Sequence, residues 1–239
     1  HIQPIWDNCY KLGIKIIDVR DEKAAVHMAQ AYSYFTKKIG VVMVTAGPGV
    51  TNTVTGIANA DLSSTPLLLI GGCTPVPQSN MRPLQDIPHV DILKPITRYS
   101  RTARVPEQLI RELDLAYSYA LGQLGEPGPS YFEVPTDILR ETVSEKMVLK
   151  EWMKEKEEYK ILPDPNIIHQ AIKNIKLAKK PLIITGIGAI GSEESILKLI
   201  SKLMSDFSTS LFLLPKNSNK SFLVSLPFLP DPFILIRSF

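Results

Sequence analysis

The sequence predicts an α/β fold, a three-layer parallel sheet with helices on both faces, and three observations predict it. Short β-rich runs alternate with helical runs from residue 14 to residue 138. The links between them are short, which favours parallel strands joined by right-handed crossovers. One run, 40–45 (GVVMVT), is apolar almost throughout, as suits a strand covered on both sides. With 239 residues and 44% apolar content, the chain has enough material for a real core.

The opening HIQPIWDNCYKLG has the character of a helix interior. Residues 14–19 (IKIIDV) are expected as a strand and 22–36 as a helix, with Ala25, Met28, Ala29 and Tyr32 spaced along one buried face. Strand 40–45 follows, then a Gly-Pro-Gly turn and a helix over 51–61. Strand 66–70 (PLLLI) ends at Gly71-Gly72. Beyond a polar, proline-rich stretch come strand 96–103, helix 106–121 and strand 130–134. Pro106 suits a first helical turn, where its missing N–H is not needed.

Residues 1–145 thus form the first domain. Residues 146–163 are dense in charge and read as an exposed linker helix. A second unit over 164–204 is expected to hold helix 166–178, strand 181–185, and a glycine-spaced turn at 186–191 that opens a helix through Leu203. The tail 205–239 holds six of the eight phenylalanines, four prolines and no Ala, Gly or Glu, so neither helical nor alternating periodicity survives there. It reads as a misread frame or unspliced sequence. Asp231 and three nearby prolines argue against a membrane span in it.

A net charge of +3, without a basic stripe interleaved with aromatics, argues against nucleic-acid or membrane-surface binding. Cys9 and Cys73 are far apart and read as reduced thiols. The chain opens at His1 with no signal-peptide pattern, and its true beginning is expected to lie upstream. The cytoplasm is the default location, or an organelle or membrane anchor if a targeting segment precedes His1.

Two local features point to chemistry. In Val44-Thr45-Ala46-Gly47-Pro48-Gly49-Val50-Thr51-Asn52, a stiff glycine turn follows a strand and opens a helix. Such a turn lets backbone approach a flat ligand beyond the carboxyl ends of parallel strands. An ordinary βα turn accounts for the same glycines. In Arg20-Asp21-Glu22 an acid opens a helix, which complementing the helix dipole explains equally well when taken alone.

Together with PLLLIGG (66–72), Leu84-Gln85-Asp86, ITRYS (96–100), GEPGP (125–129), VPTDI (134–138) and AKKPLIITGIGAI (178–190), these features resemble the thiamine-diphosphate enzymes. The branch is that of acetolactate synthases, acetolactate-synthase-like proteins and 2-hydroxyacyl-CoA lyases. The resemblance runs through residues 1–204 in order. It implies the family's pyrimidine-binding domain, without its first strand, followed by the start of a Rossmann-like central domain.

By that resemblance the catalytic candidates are Glu22 and Gln85. Glu22 matches the glutamate that binds N1′ of the coenzyme's aminopyrimidine and shares a proton with it, which requires shielding from water. Gly47, Pro48, Gly49 and Asn52 match the loop against the aminopyrimidine, and Gln85 a glutamine near the thiazolium and substrate. Arg98 stands where the synthases usually have lysine. Arg98 and Leu84 are weaker substrate candidates, and a solvated surface charge explains Arg98 as well. Asp21 and Leu84-Gln85-Asp86 depart from the Arg-His-Glu and Phe-Gln-Glu of the synthases, both around the substrate pocket.

The resemblance further implies Mg²⁺ and the diphosphate held by a C-terminal domain, FAD or ADP in the central domain of some members, and no metal site in this chain. The parent would be a homodimer or homotetramer with active sites between subunits. Its substrate would be a 2-keto acid, as in branched-chain amino-acid biosynthesis, or an acyl-CoA, as in a 2-hydroxyacyl-CoA lyase or an oxalyl-CoA decarboxylase-like enzyme. The fragment alone is expected to be inactive. Two readings of other classes stand beside this: NAD binding through Gly186–Gly191, which fits G-x-G-x-x-G after a strand, and a non-catalytic binding module.

Overall fold

A computed structural model describes residues 1–79, 81–143, 163–178, 183–186, 189 and 191–206. The chain divides into two compact units, His1–Tyr159 and Lys160–Phe239.

The first unit is built on four parallel strands: β1 (Gly40–Val44), β2 (Leu67–Cys73), β3 (Tyr99–Thr102) and β4 (Pro129–Pro135), in the order β1-β2-β4-β3. β4 lies between β2 and β3 and is buried along its whole length. Side chains alternate across the sheet, and the two faces carry separate cores. Val42, Val44, Leu67, Leu69 and Tyr131 pack on one face against Val26 and Ala29 of α2 (Glu22–Thr36), Ile57 and Ala60 of α4 (Val54–Leu62) and Leu93 of α5 (His89–Leu93). Leu68, Phe132 and Val134 pack on the other against Ala116, Leu109 and Leu113 of α6 (Leu109–Ala120). Helices cover both faces, as the sequence predicts.

Three local expectations are corrected. Residues 14–19 form no strand; they run as coil, exposed apart from half-buried Val19, between α1 (Gln3–Lys11) and α2. Their isoleucines at 14, 16 and 17 fall on opposite sides of an extended chain, so no one face can be laid on a sheet. The buried face of α2 is Val26, Ala29 and Ser33; Met28 and Tyr32 are exposed. Apolar residues surround this helix, and close approach decides which side packs: a Cβ on Gly40 would meet the Ala29 carbonyl oxygen at 2.2 Å. β2 continues through Gly71 and Gly72 to Cys73, because β4 pairs with it along all three residues, with β1 reaching as far as Gly71.

Gly56 of α4 is the second such contact. A Cβ there would lie 2.7 Å from both Cβ and Cγ1 of fully buried Val26. Gly56→Ala gains about 1 kcal/mol of helix propensity, but overpacking costs about 1–3 kcal/mol. A lower denaturation midpoint is therefore expected, read by urea titration.

In the second unit, α7 (Pro165–Leu177) starts at Asp164, whose side chain accepts the Asn166 N–H at 2.8 Å, with Pro165 at the first helical position. α8 (Glu193–Asp206) opens with two glutamates and carries a Glu194–Lys198 ion pair. The strand expected over 181–185 is absent from its described part, 183–185, and the described residues of this unit supply no strand to pair with it. Ile187, Gly188 and Ile190 of the glycine-spaced turn, most of the linker 146–163 and the tail from 207 onward lie outside the described residues. Among the described residues no helix is long and apolar enough to cross a membrane.

Candidate functional site

The carboxyl ends of β1, β2 and β4 set the site. β1 leads directly into the Gly47 turn, and α3 (Pro48–Thr51) begins at once, three residues earlier than the sequence pattern indicates. Pro48 permits this early start: its fixed φ suits the first helical position, and Gly47 before it takes φ 68°, ψ −122°, a region nearly closed to other residues. Gly49 is buried, and a Cβ there would press on the Thr45 methyl at 2.9 Å.

α2 delivers Glu22 to the same place. Asp21 caps the helix by accepting the Lys23 N–H at 2.8 Å, and that bond holds the Asp21 carboxyl below its ordinary pKa. Glu22, one residue on, accepts a hydrogen bond from the Asn52 side-chain amide, Nδ2 to Oε2 at 3.0 Å. The two residues lie 30 apart in sequence and belong to different helix ends. Glu22 is half-buried, with Asn52 exposed beside it. The shielding that the sequence argument asks for is therefore incomplete within this chain.

Gln85 closes the other side of the turn. It is half-buried at φ 67°, and its Cβ lies 2.7 Å from where a Cβ on Gly47 would be. Only glycine leaves room for it. Glu22, Gly47, Pro48, Gly49, Asn52 and Gln85 thus surround one turn.

Leu84, by contrast, is 82% exposed, and Asp86 accepts a hydrogen bond from Thr74 Oγ1 at 3.1 Å. Arg98 lies at the opposite end of the sheet. Its N–H bonds to Pro129 at the start of β4, its Nε donates to the Pro127 carbonyl, and its guanidinium pairs with Asp61. Those bonds, with Gly128 packed against its side chain, account for Arg98 without a substrate.

Sequence reasoning missed the support beneath the turn. His89 of α5 is buried, and its Nε2 accepts the Gly47 N–H at 2.8 Å while Nδ1 faces Glu133 Oε2 at 2.9 Å. Glu133 of β4 also accepts from Tyr131 and Thr102. Burial, reinforced by this carboxylate, pushes the Tyr131 phenol well above its ordinary pKa; burial first and Glu133 second do the same to the Cys73 thiol. No spacing in the sequence signals this network, since His89 and Glu133 are 44 residues apart.

The arrangement offers a carboxylate oriented by an amide beside backbone lacking side chains, which fits a flat heteroaromatic ring that exchanges a proton with an acid. Among the described residues no group of three or more His, Cys, Asp or Glu side chains converges as a metal site. The described residues around the turn fit an aminopyrimidine ring.

Comparison with known proteins places the turn within a region of recognised similarity. Residues 1–93 match the family described as thiamine pyrophosphate enzyme, N-terminal TPP binding domain. The 2-hydroxyacyl-CoA lyase 2 of Danio rerio is 41% identical over 139 residues, which is 58% of this chain and 22% of that protein. The acetolactate synthase of Arthrospira platensis is 33% identical over 216 residues, 87% of this chain and 37% of that protein. The acetolactate synthase large subunit of Buchnera aphidicola is 34% identical over 187 residues, 77% of this chain and 32% of that protein. The chain thus spans between 22% and 37% of the length of these relatives. Glu22, the Gly47 turn, Asn52 and Gln85 all lie within residues 1–93, the part of the chain that is similar to the N-terminal TPP binding domain of the thiamine pyrophosphate enzymes.

Proposed function

We propose that this chain supplies the aminopyrimidine-binding, coenzyme-activating half of a thiamine-diphosphate site in an acetolactate-synthase-like parent that decarboxylates a 2-keto acid and joins the acyl unit to a second substrate. The observation that carries this reading is the Asn52–Glu22 hydrogen bond across the Gly47 turn, in a chain whose residues 1–93 match the TPP binding domain. When bound, the coenzyme supplies the electron sink for making and breaking the carbon–carbon bond. Glu22 holds a proton against N1′ of the ring, and Asn52, donating to Oε2, orients the Glu22 carboxyl group. Gly47 and Gly49 keep the ring's face clear of side chains. Gln85 stands beside the turn, toward the reacting end.

A second reading keeps the same site and changes the substrate: cleavage of a 2-hydroxyacyl-CoA. The higher identity to the lyase favours it, 41% against 33% for the synthase. The synthase alignment covers more of the chain, 87% against 58%, and supports the first.

The half-open Glu22 supports a parent that works as a homodimer or homotetramer, a second subunit completing the cover. The diphosphate and Mg²⁺ would be held by another domain, and FAD or ADP by the central domain, whose start we assign to 164–204. Cys73, buried and unpaired, supports a reducing compartment, the cytoplasm by default. Titrating the complete protein separately with thiamine diphosphate and with NAD tests the assignment. Saturable thiamine-diphosphate binding and none of NAD is expected; the reverse would transfer the function to the 186–191 turn.

A further inference from the structure

The buried network beneath the Gly47 turn has a direction. A backbone N–H can only donate, so His89 Nε2, 2.8 Å from the Gly47 nitrogen, must be the bare ring nitrogen. The ring's proton then sits on Nδ1, aimed at Glu133 Oε2 at 2.9 Å. Glu133 is itself held, by Tyr131 Oη at 2.7 Å on the same oxygen and Thr102 Oγ1 at 2.6 Å on the other. Strand register places Glu133 opposite Gly71 of β2 and Thr102 of β3, in the middle of the sheet.

A chain of hydrogen bonds therefore runs from the buried centre of the sheet out to Gly47. At its end lies a backbone conformation that needs holding. Gln85, four residues before His89, presses on Gly47 from the outside. One short segment thus carries both the side chain that grips the Gly47 amide and the one that rests on its Cα.

We propose that His89 is a positioning residue for the coenzyme turn: its bare Nε2, locked by Glu133, fixes the Gly47 amide and with it the placement of Gln85. What the turn is for rests on the coenzyme reading above. That His89 holds it does not.

The first test needs no variant. Nitrogen-15 spectra of the histidine rings in the full chain are expected to show His89 protonated at Nδ1 and bare at Nε2; a proton on Nε2 overturns the proposal. In His89→Leu, the Gly47 amide is expected to exchange with solvent about tenfold faster, the factor by which losing one ordinary hydrogen bond shifts a local opening. His89→Gln, which places an acceptor and a donor on one planar group, is expected to restore most of the protection. No change with leucine, or equal change with both, overturns the proposal. If the leucine variant does not fold, the ring spectrum still decides.

In the complete enzyme, His89→Leu is expected to weaken thiamine-diphosphate binding about tenfold by the same loss, with His89→Gln recovering it. Faster Gly47 exchange at unchanged coenzyme affinity would keep the assignment of His89. It would instead remove the Gly47 turn from the coenzyme site.

Discussion

Glu22→Gln in the complete enzyme is expected to lower turnover by about 10²–10⁴-fold, the range that a positioned proton-transfer group contributes. Glutamine is close to isosteric and can still meet the Asn52 side chain, so the contact seen at 3.0 Å can persist in altered form. Asp21, not Glu22, caps α2, so the helix start is untouched. Glutamine cannot hold and return a proton at the ring. Turnover should therefore collapse while the melting temperature stays within the variation of a surface substitution. Steady-state rates beside a thermal melt separate the two. Full turnover in a folded Glu22→Gln enzyme would strip Glu22 of its role, and parallel loss of both quantities would make it structural.

Phe132→Ala should produce the largest loss of stability. Phe132 is 1% exposed at the centre of β4 and packs with Leu68, Ala103, Ala116 and Val134 under α6. Phe→Ala at such a site costs about 3–5 kcal/mol, transfer and cavity together. Whole-domain stability is about 5–15 kcal/mol, so a large fraction of it rides on this ring. Phe35, 80% exposed on α2, is the control, expected within about 0.5 kcal/mol on truncation to alanine. Urea midpoints measure both. A Phe132→Ala midpoint no lower than that of Phe35→Ala would show that the α6 face is not a core.

The alternation of elements, the parallel sheet and the Gly47 turn were legible because they are local properties of the chain. β2 and β4 announce themselves as apolar runs, and Pro48 between two glycines marks a strand-to-helix junction. The failures share a cause. The isoleucines of 14–19 look like a strand until one asks which strand they pair with. The face of α2 could not be chosen from periodicity, because apolar residues lie all around it. The choice was made by Gly40 and Gly56, which bring other backbone close only at Ala29 and Val26.

The site divides the same way. Glu22, Asn52 and Gln85 were named from local pattern and resemblance, and the fold brings all three to one turn. Arg98 was named on the same grounds, but strand register carries it to the far end of the sheet, where Asp61 pairs with it. His89 and Glu133 had no local signal, being 44 residues apart on a short helix and a central strand.

The sequence by itself determined the α/β class and the order of elements from α2 to β4, since these follow from near-neighbour pattern and turn residues. Only the tertiary structure decided which faces are buried, which charges face one another, and what holds the Gly47 amide. Those depend on pairings between segments distant along the chain, which no local pattern encodes.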